Sequence, residues 1–106
     1  MSRFMRLMVF FDLPVGTADQ RRQATQFRNY LVKDGFYMLQ FSVYGRVCNT
    51  IESAKMHEER LKLHLPSNGS VRSMIITEKQ YASMNVLAGK RKRKEKSALD
   101  AQMSFF

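Results

Sequence analysis

One carboxylate stands where a first strand has to stop. The run Phe4-Met5-Arg6-Leu7-Met8-Val9-Phe10-Phe11-Asp12-Leu13-Pro14 is apolar almost throughout and reads as a buried strand ending at Asp12. Pro14 has no N–H with which to extend a ladder and disfavours helix at Leu13, so Asp12 falls at the strand tip. A carboxylate there suits Mg²⁺, which prefers oxygen ligands, keeps several waters and takes one or two carboxylates beside phosphate oxygens. Asp12 can equally cap the loop Leu13-Pro14-Val15, and the residues alone leave both readings open. One Asp per chain is a thin metal site. A twofold dimer would bring two copies of Asp12 together, and a cation between them would relieve their repulsion. Such a cation can activate water for attack on a phosphodiester.

Basic residues follow closely. Arg21, Arg22 and Arg28 lie on the segment after Asp12, and the planar guanidinium fork matches phosphate oxygens. The start of a helix adds partial positive charge. The same residues also describe an ordinary solvated face. The run Lys90, Arg91, Lys92, Arg93, Lys94, Glu95, Lys96 is either an electrostatic arm for nucleic acid or an uncommitted tail. The whole chain carries 18 Lys+Arg against 9 Asp+Glu. Residues 1–89 remain basic by themselves, with 12 bases and 7 acids. That balance points to a polyanionic partner, nucleic acid or anionic lipid.

Other candidates carry weaker signals. Arg6 interrupts a buried strand and needs an acid or an open face. Ser42 and Tyr44 alternate on one expected strand and could face one way. His57 and His64 are seven apart, not the i, i+4 spacing of a helical metal pair, and read as surface or partly packed residues. There is no Ser/His/Asp pattern, cysteine cluster or Gly-rich phosphate loop.

These groups need a scaffold. Thr17 with Gln20 reads as a capping box opening a helix from Ala18 to Asp34, stopped at Gly35, with Ala24, Phe27, Tyr30 and Leu31 on one face. Phe36–Leu39 and Phe41–Tyr44 read as strands, the second extendable to Cys48, with a turn or a bulge at Gln40. A second helix is expected over 50–64, a strand over Val71–Glu78, and a short last strand over Met84–Leu87. The order β-α-β-β-α-β is an α+β, ferredoxin-like pattern, with two helices on one face of an antiparallel sheet. A short extra C-terminal strand follows. The other face would stay open, and a second copy is the simplest cover. RNA-recognition modules share this order, but their third-strand aromatic motif is missing.

At 106 residues the chain reads as one domain, 1–89, with a basic and flexible tail, 90–106. Cys48 is the sole cysteine, so no internal disulfide can form, and it reads as a small core residue. The N-terminal apolar run is too short for a membrane span and lacks a signal-cleavage pattern, so the expected setting is cytoplasmic, away from membrane.

Several segments resemble one family in order and spacing. They are Met8–Pro14, Phe27-Arg28-Asn29-Tyr30-Leu31, Gly35–Tyr44, and Val71–Thr77 with Gln80-Tyr81. Together they are similar to the CRISPR-associated protein Two family, over about residues 4–88. The resemblance implies a homodimer whose C-terminal strand crosses to the neighbour's sheet. It implies a subunit of spacer acquisition that bridges the CRISPR integrase on double-stranded DNA. Some members are metal-dependent endonucleases on single-stranded RNA or double-stranded DNA. By resemblance Asp12, one from each protomer, is the catalytic residue and holds Mg²⁺ or another divalent cation. Arg21 and Arg22 fall where members place basic residues for the backbone. Several members carry Tyr before the aspartate, where this chain has Phe11. The alternatives are a toxin-like RNA endonuclease of the same fold and a non-catalytic nucleic-acid-binding module.

Overall fold

Alternation along the first strand decides the layering. In the computed structural model, which describes residues 4–89, β1 spans Met5–Asp12. Leu7, Val9 and Phe11 project to one side and join a core with Ala24, Phe27, Leu31, Ala54 and Leu61. Those partners come from α1 (Ala18–Lys33) and α2 (Ile51–Leu61), so both helices cover that face. Arg6 and Met8 project to the other side. There Met8 packs with Tyr37, Val47 and Tyr81 in a second, smaller cluster.

The sheet is antiparallel with β2 (Tyr37–Gln40), β3 (Val43–Cys48), β1 and β4 (Ser70–Thr77) in that order across it. With two helices on one face this is the ferredoxin-like arrangement expected. The capping box at Thr17 and Gln20 forms, each side chain reaching the other's backbone N–H. Gly35 follows the helix at φ +99°, a left-handed value that suits glycine at a helix end. Cys48 is buried in the core, and burial pushes its thiol pKa up.

Four expectations are corrected. The helix over 50–64 is α2 plus a single 3₁₀ turn at Lys62–His64, a common way for a last turn to tighten. The strand from Phe41 begins at Val43, because Phe41 and Ser42 form the turn and Ser42 takes φ 65°. Ser42 is thus no strand partner of Tyr44, which is buried in the core. Glu78 leaves the strand and opens a third helix, α3 (Glu78–Ala82), under a second capping box between Thr77 and Gln80. Met84–Leu87 form no strand in the sheet of the single chain. β4 is an edge whose far side has no partner among the described residues.

α3 lies over one end of the face away from α1 and α2, because Tyr81 is buried in its cluster. Tyr37 lies over Gly45, its register partner on β3; a Cβ there would sit 3.1 Å from the Tyr37 hydroxyl. No helix among the described residues is long and apolar enough to cross a membrane.

Candidate metal and nucleic-acid site

Asp12 is the last residue of β1 and stands opposite Ser70 at the start of β4. Its side chain is exposed and has no hydrogen bond or ion pair among the described residues. By the pleat it faces the same way as Met8 and Phe10, away from the helices. Its backbone is held by a close approach. Gly69 has φ +97°, and a Cβ there would lie 2.5 Å from the Asp12 carbonyl oxygen and 2.9 Å from Leu13 Cδ2. Gly69→Ala should therefore cost about 1–2 kcal/mol through the left-handed backbone alone, plus displacement of the Asp12 turn. A urea midpoint unchanged from the parent would show that the turn yields freely.

The arginines of α1 flank this end without bonding Asp12. Arg21 reaches back to the carbonyl of Val15 at 3.2 Å, across the loop that leaves Asp12. Arg22 pairs with Asp19 on its own helix and is exposed. Arg28 is half-buried, its guanidinium 5.8 Å from the centre of the Phe11 ring. Phe11 itself is core, edge-on to Phe27 at 5.1 Å and beside Tyr44 at 5.6 Å. Residue 11 therefore faces the helices, on the opposite side of the sheet from the Asp12 carboxylate. Lys90, Arg91, Lys92 and Arg93 lie outside the described residues.

Two further polar clusters are structural. Arg6 is 1% exposed and gives two hydrogen bonds to Glu78, Nε to Oε2 and Nη2 to Oε1, both at 2.8 Å. It also donates to the Tyr37 hydroxyl, which in turn donates to Tyr81 at 3.0 Å, and its guanidinium lies 4.0 Å from the Tyr81 ring centre. Both readings of Arg6 thus hold: it pairs with an acid, and it does so on the face away from α1 and α2. At the end of α1, Asp34 accepts from His57 Nδ1 and from Arg60 Nη1, each at 2.8 Å. His57 is buried, while His64 is exposed and stacks on Tyr30 at 3.9 Å between ring centres.

A family model described as CRISPR associated protein Cas2 matches residues 5–84. The chain belongs to the Cas2 family. A relative in Acidovorax ebreus (strain TPSY), called CRISPR-associated endoribonuclease Cas2, is 50% identical over 96% of this chain and 100% of its own. One of the same name in Ligilactobacillus salivarius (strain UCC118) is 51% identical over 82% of this chain and 86% of its own. A solved structure titled "Crystal structure of cas2" superposes with a TM-score of 0.56 at 21% identity, covering 85% of this chain and 92% of that one. At that identity the likeness speaks for the fold alone, and the Cas2 fold agrees with the sheet described above.

Some of what surrounds Asp12 carries no local signal in the sequence. Gly69 stands in the turn-rich run Pro66-Ser67-Asn68-Gly69-Ser70, and nothing in the sequence joins it to Asp12. Arg72 stands inside the strand-like run Val71–Thr77, with no local mark of a role. Glu78 read as the end of that strand, although Thr77 and Gln80 repeat the spacing of Thr17 and Gln20.

Proposed function

We propose that this Cas2-family chain works as a homodimer that hydrolyses phosphodiester bonds of RNA with a divalent cation held by paired Asp12 carboxylates. The same dimer would serve spacer acquisition by bridging the CRISPR integrase on double-stranded DNA. The observation that carries this is Asp12 itself: an exposed carboxylate with no bonded partner among the described residues, at a strand end in a strongly basic chain. The endoribonuclease names of its relatives support the chemistry.

The donor chemistry fits a hard cation. Asp12 offers oxygen, and no group of three or more His, Cys, Asp or Glu gathers among the described residues. One chain thus supplies one carboxylate, and a second copy supplies the other. When bound, the cation would neutralise phosphate charge and lower the pKa of a water. Asp12, its turn set by Gly69, would hold and orient the cation. Arg21, Arg22 and Arg28 belong to α1 on the other side of the sheet, so they would meet a phosphate backbone only where it passes beyond the end of β1.

The open face supports a second copy. Phe10 is 37% and Met74 53% exposed there, beside the unpartnered edge of β4. Val86 and Leu87, 52% and 94% exposed, lie on a non-helical stretch with no sheet of its own. Adding that stretch to the β4 edge of a partner would cover both features.

The test is cleavage of a labelled oligoribonucleotide by the full chain, with Mg²⁺ and with chelator, beside Asp12→Ala. The variant should lose at least about 100-fold in rate, the lower end of what one positioned catalytic group supplies. It should stay dimeric by sedimentation equilibrium. Parental cutting by Asp12→Ala sinks the site. Co-purification with a candidate integrase and duplex DNA tests the bridge separately.

A further inference from the structure

The sheet holds three arginines among the described residues, and two of them are occupied. Arg6 is bound to Glu78. Arg46 donates to the carbonyls of Asp34 at 2.7 Å and Val47 at 3.0 Å. Arg72 is exposed and makes no hydrogen bond or ion pair among the described residues.

Register places it. β1 and β4 pair Asp12 with Ser70, Phe10 with Arg72 and Met8 with Met74. Opposite residues of an antiparallel pair share a face, and so do residues two apart. Val71 and Ile75 pack into the helix-side core, so Arg72 and Ser70 face the other way, with Phe10 and Asp12. Arg72 is thus the diagonal neighbour of Asp12, about 7–8 Å away between backbones. The two opposite charges stand side by side, and neither is spent on the other.

A carboxylate that holds a cation and a guanidinium a few ångströms along the same face can take two oxygens of one phosphodiester. The cation would neutralise part of the phosphate charge, and the planar fork would donate hydrogen bonds to the phosphate oxygens. We infer that Arg72 is the phosphate-binding residue of the Asp12 site, contacting the phosphodiester held there. This rests on the reading of Asp12 given above.

The rival role is an ion pair between Arg72 and the carboxylate of a second copy across the open face. The experiment separates the two. Arg72→Ala and Arg72→Lys are compared with the parent for kcat and KM on a defined oligoribonucleotide with Mg²⁺. Binding of the same RNA is titrated against salt in the Asp12→Asn background, where cleavage does not intrude, and dimerisation is followed by sedimentation equilibrium. Arg72→Ala should raise KM about tenfold or more and lower the salt slope by about one, the mark of one lost phosphate contact. Arg72→Lys should restore the slope but only part of KM, since lysine keeps the charge without the fork. Unchanged KM and slope overturn the assignment, as does an Arg72→Ala chain that falls to monomer. Asp12→Ala, run alongside, reports on the Asp12 reading alone: if it cuts like the parent that reading fails, while the salt slope still judges Arg72.

Discussion

Glu78→Ala should cost about 3–5 kcal/mol of folding stability, the usual price of removing one partner of a buried ion pair. Arg6 is 1% exposed, and the Glu78 side chain is 15% exposed. Burial by itself would lower the Arg6 pKa, but the Glu78 bond and charge outweigh it and hold the group above its ordinary value. The guanidinium therefore stays charged, and without Glu78 it is left in the sheet with two tyrosine rings and one hydroxyl acceptor. The loss should appear as a lower urea midpoint. Arg6→Met with Glu78→Leu should recover most of it, because an apolar pair of similar volume leaves no charge to strand. A loss under about 1 kcal/mol in Glu78→Ala would mean that water reaches Arg6 freely.

Asp34→Ala should be nearly as damaging, about 3 kcal/mol, scaled down from a fully buried pair because Arg60 is 46% exposed. The Asp34 side chain is 8% exposed and that of His57 6%. A carboxylate only accepts, so His57 Nδ1 donates to it, and removal leaves a buried donor with no acceptor. Acid makes the same point. Burial alone would raise the Asp34 carboxyl, but the bonds from His57 and Arg60 with their charges bring it below the ordinary 3.8. A lowered folded pKa adds stability that is complete above the unfolded value and fades as pH falls through the folded one. The stability gap between the parent and Asp34→Asn should therefore narrow below about pH 4. A gap that stays constant through that range would remove the carboxylate's charge from the explanation.

How far these features could be read from residues alone depends on their reach along the chain. β1, the Thr17–Gln20 cap and the stop at Gly35 are local, and each carries its own signal. The helix-side core was legible as well, because Leu7, Val9 and Phe11 alternate while Ala24, Phe27 and Leu31 repeat at helical spacing. α3 was not, since a five-residue helix with one buried side chain is too short to show a period. Its capping box was visible but sat against an apolar run that reads as strand to its end. Ser42 at φ 65° gives no warning, because a left-handed serine in a hairpin turn is a choice made by the flanking ladder. Asp12 could be placed at a strand tip, while its neighbours Gly69 and Arg72 needed the β1–β4 register.

The bond between Arg6 and Glu78 joins residues 72 positions apart. A chain made from its N-terminus thus exposes the arginine early and supplies the glutamate only when nearly all the described domain has emerged. The β1–β4 ladder closes the same span, with Met5 opposite Thr77, so the Arg6–Glu78 bond and the last sheet pairing share one loop closure. Residues 84–87 follow α3 and its C-cap Ser83, so the anchoring of α3 through Glu78 sets where that stretch starts. One ion pair thereby ties the first strand to the point at which the chain leaves the sheet after β4.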